Sequence, residues 1–160
     1  ISEMTFSLAA GLNWKGIDFS ILLQGAARSS IYLQQDIAWD NFWGNYYEEH
    51  IGRWTPETAA TATYPRFTKA ATAAHPNYYK SDYWLKDSKY LRLKNIQLGY
   101  TIPRKLLKKF GVRSLRVYAN AYNLFTWDNV KKVDPESSNN SNGQFYPQQK
   151  VINFGINLNF

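Results

Sequence analysis

Apolar and polar side chains alternate along five separate stretches of this 160-residue chain. In residues 4–14, Phe6, Leu8, Ala10, Leu12 and Trp14 fall on one parity and Thr5, Ser7, Ala9, Gly11 and Asn13 on the other. That is the period of a strand with one apolar face. Lys15-Gly16 follows as a short turn, glycine supplying the positive φ. Residues 17–25 then set Ile17, Phe19, Ile21 and Leu23 against Asp18, Ser20 and Gln24, so the two runs predict a hairpin. The third run, 89–102, slips in phase: Leu91 and Leu93 lie on one parity, Ile96, Leu98, Tyr100 and Ile102 on the other. A bulge near Lys94–Asn95 accounts for the slip; so does a change from a loop-covered rim to an outward wall. Pro103 ends the run, and Gly111 closes one or two amphipathic turns. In 114–126, Leu115, Val117, Ala119 and Ala121 oppose Arg116, Tyr118, Asn120 and Tyr122. In 150–160, Ile152, Phe154, Ile156, Leu158 and Phe160 alternate with Asn153, Gly155, Asn157 and Asn159 up to the last residue.

The connections between runs are unequal. Those at 15–16 and 103–113 are short; those at 26–87 and 127–149 are long. Antiparallel up-and-down strands send alternate connections to opposite ends, which gathers both long loops at one end. Outer-membrane barrels have that asymmetry, and runs of about 9–11 residues suit tilted strands crossing the hydrocarbon layer. Soluble strands are nearer 5–6 residues, although alternation by itself also fits a half-buried soluble sheet. The stretch 26–87 is too long for an ordinary loop unless it has a function; within it, "IYLQQDIAWDNFWGNYYEEHI" is expected to form a helix. The regularity of the last run has a reason in lipid. There every backbone polar group must be paired and every outward side chain should be apolar.

Composition narrows the picture. With 12 Tyr, 9 Phe and 6 Trp the chain is too aromatic for disorder. It has no Cys, which removes disulfides and thiolate metal sites. No apolar run approaches the ~20 residues of a transmembrane helix, and "ISEMTFSL" has neither a signal-peptide pattern nor an initiator Met, so a mature product or a fragment is expected. Charge is lopsided: residues 1–87 hold 7 Lys/Arg against 9 Asp/Glu, residues 88–160 hold 12 against 3. The basic residues alternate through strands and form no known binding motif, which argues against nucleic acid. Arg104, Lys105, Lys108 and Lys109, with Leu106, Leu107 and Phe110, either form a solvated turn or meet anionic headgroups on the short-turn side.

The apolar set Ile152, Phe154, Ile156, Leu158 and terminal Phe160 resembles the signal read by the outer-membrane barrel assembly machinery. "YLRLKNIQLGYTIP", "LRVYANAYNLFTW", "DPE" and "FGINLNF", in that order, with "GRWTPE" at 52–57, resemble the C-terminal barrel portion of SusC/RagA-type TonB-linked outer-membrane transporters. The likeness is firm from Tyr90 to Phe160 and looser before it. The resemblance implies an all-β fold: an antiparallel up-and-down transmembrane β-barrel segment, the last five strands of a barrel of about 22 strands. Its plug domain is absent from this chain. Five strands cannot close a barrel around a lumen, so the partners implied are the rest of the barrel and the plug, a SusD-like surface lipoprotein, TonB acting through the missing plug, outer-membrane lipid, and an oligosaccharide or peptide cargo. The location implied is the cell outer membrane of a Gram-negative, Bacteroidetes-like organism.

Catalytic chemistry finds little support in the sequence. His50 and His75 lie in the long loop without a metal-ligand spacing, and His50 beside Glu48-Glu49 reads as solvated loop. No phosphate loop or Ser/His/Asp motif occurs. No catalytic residue, metal or cofactor is expected, and the chain is expected not to be an enzyme. Trp39, Phe42, Trp43, Tyr46, Tyr47 and Trp54 form an aromatic loop that either contacts partner or substrate or packs the loop on itself. Arg116, Tyr118, Asn120, Tyr122, Asn153 and Asn157 are the candidate faces toward a lumen or plug. The alternative reading is a soluble secreted β-domain that binds carbohydrate through the aromatic loop.

Overall fold

The computed structural model describes residues 2–40, 44–69, 75–130, 133–136 and 146–160. The protein is all-β with antiparallel up-and-down strands and little helix. Its strands are β1 (Ser2–Trp14), β2 (Ile17–Tyr32), β3 (Leu85–Asp87), β4 (Tyr90–Thr101), β5 (Ser114–Asp128) and β6 (Val151–Asn159). Two compact units emerge: a sheet unit of Ser2–Ser29, Ser88–Asn129 and Pro147–Phe160, and a loop unit of Ser30–Asp87 and Val130–Tyr146.

In the sheet unit the order is β1-β2-β4-β5-β6, every neighbour antiparallel. The sheet does not close: β1 and β6 are its edges. Lys15 and Gly16 both take positive φ, 48° and 89°, the pair of left-handed residues a two-residue hairpin turn needs. The phase slip in β4 is a bulge. Leu93 pairs Phe125 and Asn95 pairs Tyr122, with Lys94 left over on β4, and Asn123 and Leu124 on β5; Asn123 adopts φ 50°. One extra residue restores the side-chain parity. Leu91 and Leu93 therefore stay on the face that carries Ile96 and Leu98.

The expected loop 26–87 is not all loop. β2 continues past Gly25 to Tyr32, first against β1, then against β3. Ala26, Ala27, Ser29 and Ser30 carry no alternating apolar signal, but their ladder bonds are made by the backbone, which composition does not report. The helix expected around 31–51 does not form among the described residues. Residues 31–32 are strand, and only 3-10 turns at Gln35–Ile37 and Glu48–Gly52 occur. Aromatic and Asn-rich sequence has weak helix propensity, and the aromatic side chains find a shared core instead. The loop unit is built on that core: Ile31, Leu33, Trp39, Tyr64, Tyr78 and Trp84 are buried together, with Phe67 packed against them.

Candidate functional site

The register of the sheet unit sorts side chains into two faces. One row across all five strands reads Leu12, Phe19, Leu98, Ala119, Phe154; the next reads Trp14, Ile17, Tyr100, Val117, Ile156. These apolar side chains are largely exposed, Phe154 at 83% and Ile156 at 69%. Ile152 and Leu158 share that face of β6, and Phe160 follows the strand, also exposed. The row on the other face reads Gly11, Ser20, Gln97, Asn120, Asn153.

Arg116, Tyr118, Asn120, Tyr122, Asn153 and Asn157 all fall on this polar face. Arg116 donates from Nε to Asp18 Oδ1 at 2.9 Å and from Nη2 to Oδ2 at 2.5 Å. The pair spans β2 to β5 across β4, where Gly99 occupies the register position beside Asp18. A Cβ at 99 would sit 2.5 Å from Asp18 Oδ1 and 2.6 Å from Arg116 Nη2, so glycine makes the gap through which the ion pair forms. The Arg116 guanidinium also lies 4.8 Å from the Tyr118 ring centroid, a cation–π geometry. Tyr118 in turn covers Gly155 on β6. Asn153 donates from Nδ2 to Asn120 Oδ1 at 3.0 Å. The face is thus a hydrogen-bonded polar surface with one bidentate ion pair near its short-turn end. Sequence parity was enough to find the six residues; Asp18, Gln97 and Gly99 were not singled out, because their role depends on the register between strands.

The aromatic loop divides. Trp39 is buried and packs against Tyr78, ring centroids 4.6 Å apart and tilted by 31°. Tyr46 and Trp54 are exposed, Tyr47 half-buried. Phe42 and Trp43 lie outside the described residues. Asp40, only 1% exposed, organises the interior. Its carboxylate accepts from the Tyr78 hydroxyl and, at 3.0 Å, from the Thr68 N–H. Tyr64 accepts from the Asp40 N–H at 3.0 Å and donates to Ala38 O at 2.8 Å. Burial, followed for both by the Asp40 carboxylate, pushes the Tyr64 and Tyr78 phenols well above their usual range.

His50 is not solvated, as the sequence had suggested, but 2% exposed. Its Nδ1 accepts from the Tyr47 N–H at 3.0 Å. The hydrogen therefore sits on Nε2, which donates to Ala38 O at 3.2 Å. The Tyr64 ring packs against it at a 58° tilt, centroids 4.5 Å apart. Adjacent residues diverge, so the exposed Glu48-Glu49 pair gave no hint that the next ring turns inward. Among the described residues no group of three His, Cys, Asp or Glu could hold a metal.

The "GRWTPE" stretch has a local explanation. Gly52 O accepts from the N–H groups of Thr63 and Tyr64, and Trp54 N–H donates to Tyr64 O. Thr55 and Thr58 exchange backbone-to-hydroxyl bonds at 2.8 and 3.2 Å, and the Arg53 guanidinium caps the Phe67 ring at 5.0 Å. Beside this motif lies an open cavity of about 250 Å³ lined by Leu33, Tyr64, Tyr83, Trp84, Glu49 and Lys86, among others.

No protein-family model matches the chain. It is 28% identical over 177 residues to TonB-dependent receptor P26 of Formosa agariphila, across all of this chain and 17% of that protein. It is 25% identical to TonB-dependent receptor SusC of Bacteroides thetaiotaomicron, across 99% of this chain and 15% of that one. The chain thus spans about a sixth of the length of the curated relatives it matches. Among solved structures, a chain of the RagAB peptide importer in its open-open state superposes with a TM-score of 0.71 at 23% identity, covering 98% of this chain and 17% of that one. The RagAB peptide transporter gives 0.70 at 24%. The homologues are TonB-dependent receptors, SusC among them, and the fold is that of their barrels.

Proposed function

We propose that this chain is the C-terminal part of the barrel of a SusC-like TonB-dependent transporter, which imports an oligosaccharide or a peptide across the outer membrane. The observation that carries the reading is the exposed apolar face. Ten large apolar strand side chains on it are half-exposed or more. Burying one such side chain is worth ~1.5–3 kcal/mol. Even half of that, over ten residues, comes to about 8–15 kcal/mol, the entire stability of an ordinary domain. Hydrocarbon removes the penalty, and the opposite face then looks into the lumen.

On this reading Arg116, Tyr118, Asn120, Tyr122, Asn153 and Asn157 hold the plug or line the path of the cargo. The exposed Tyr46 and Trp54 of the loop unit meet a SusD-like lipoprotein or the cargo outside. Ile152, Phe154, Ile156, Leu158 and Phe160 guide insertion of the last strand. Transport needs no covalent step from these residues; energy arrives through TonB at the plug. The name of the RagAB importer favours peptide and that of SusC carries no cargo, so the two cargo classes stand as alternatives for one assay. A strain lacking the full-length gene is grown on defined oligosaccharides or peptides as sole carbon source. Growth lost on one class and restored by the gene supports the reading; unchanged growth on all of them, with the protein absent from outer-membrane fractions, contradicts it.

A further inference from the structure

The connection between β4 and β5 is a short helix, α1 (Arg104–Leu107), continued by a 3-10 turn at Lys108–Phe110 and closed by Gly111 at φ 68°. Only Leu107 is buried. Leu106 and Phe110, four residues apart, stand 65% and 76% exposed, and Arg104, Lys105, Lys108 and Lys109 are exposed around them. In water this arrangement is unfavourable on two counts. Arg104/Lys108 and Lys105/Lys109 are like-charge pairs at i,i+4. The two large apolar side chains have no cover.

No Asp or Glu of the same stretch of chain relieves the charge. From Ser88 to Trp127 the chain has nine Lys/Arg and no Asp or Glu, and Asp18 is committed to Arg116. The same end of the sheet adds more of the same chemistry. Thr101 N–H bonds Gly16 O at 2.7 Å, bringing the β1–β2 turn alongside, and Lys15 lies 4.8 Å from the ring of exposed Trp14. Arg113 N–H bonds Asn159 O at 2.8 Å, bringing in the end of β6. Six cations thus share one rim with Leu106, Phe110 and Trp14.

We infer that this rim is a docking surface for anionic phospholipid headgroups of the periplasmic leaflet. The cations bind the phosphates, while Leu106 and Phe110 enter the acyl boundary just below. Charge complementarity selects this occupant: headgroup phosphates neutralise the like-charge pairs, and the acyl layer covers the two apolar side chains. The inference rests on the transporter reading, which sets the short turns on the periplasmic side.

The test uses the full-length transporter, purified in mild detergent and equilibrated with equal amounts of phosphatidylglycerol and phosphatidylethanolamine, with retained lipids counted by native mass spectrometry. The wild-type protein retains phosphatidylglycerol in severalfold excess, and raising salt from about 0.05 to about 0.5 M shrinks the excess. A variant carrying Arg104→Gln, Lys105→Gln, Lys108→Gln and Lys109→Gln loses the preference, a severalfold fall to near-equal retention. Replacing the three lysines by arginine preserves it. Leu106→Ser with Phe110→Ser lowers retention of both lipids and leaves their ratio alone. Equal retention by the wild type, a salt-independent ratio, or an unchanged preference in the glutamine variant overturns the inference; an acidic protein as the true occupant gives the first of these. Running each sample heated and unheated on a gel separates the two readings. With no heat-shifted barrel band the transporter reading fails, and the lipid contact with it. A shifted band with equal lipid counts contradicts the lipid contact alone.

Discussion

Asp18 and Arg116 meet over β4 because position 99 has no side chain. Gly99→Ala puts a methyl group against both partners, and since both contacts are to mobile side-chain ends, the pair opens while the strand stays. The expected effect is a lower midpoint for heat-induced unfolding of the detergent-solubilised barrel. In an Arg116→Gln background the same change should be nearly neutral; equal costs in both backgrounds would refute the coupling. Asp40 is the matching residue of the loop unit. Asp40→Ala takes the carboxylate acceptor from the Thr68 N–H and from the Tyr78 hydroxyl, which keeps only Thr68 Oγ1 at 3.2 Å, at about 1–3 kcal/mol, and should multiply the rate of proteolytic cleavage within residues 30–87. The buried phenols also give this unit a pH dependence. Tyr64 and Tyr78 hold their protons more tightly when folded than at the ordinary phenol value of 10.0. Stability from them is therefore level below pH 10 and falls as pH rises beyond it. Protease resistance followed from pH 8 to 12 should show that decline, and Tyr78→Phe should lessen it.

At the scale of elements, the two faces of β6 offer the sharpest contrast. Ile156→Arg sets a charge on the apolar face, at about 2–4 kcal/mol if it lies near the bilayer midplane; Asn157→Arg sets it on the polar face beside Arg116 and should cost far less. The fraction of full-length protein reaching the heat-modifiable form in outer-membrane fractions measures both. The strands were legible because period-2 alternation is a local signal, and even the bulge at Lys94 left its trace as a change of parity between Leu93 and Ile96. Where side chains stop alternating, the signal ends though the ladder continues, as in β2 from Ala26 to Tyr32 and in β3. The loop unit was least legible. Its core of Trp39, Tyr64, Tyr78 and Trp84 joins residues far apart in the chain, and His50 turns inward for reasons its neighbours do not carry. Parity also identified the polar face, whereas the Asp18–Gly99–Arg116 arrangement required the register of three strands.

For the molecule as a whole, the sheet has two unpaired edges, β1 and β6, and an apolar face of five strands. In water such a chain aggregates through both. Residues 1–160 expressed alone in buffer without detergent should give no monodisperse monomer; a cooperatively melting soluble monomer would favour the carbohydrate-binding alternative. The central claim, that the apolar face looks into lipid and the polar face away from it, is tested most directly by site-directed spin labelling. The full-length protein, freed of any cysteines outside this cysteine-free segment, is reconstituted in liposomes with single nitroxides at Leu12, Phe154 or Ile156, and separately at Asn120, Asn153 or Asn157. The account predicts high collision rates with oxygen and low rates with a water-soluble nickel chelate at the first three sites. It predicts no lipid-type oxygen exposure at the second three. Nitroxides at Phe154 and Ile156 that collide freely with the nickel chelate, or that are shielded from both reagents, would contradict it.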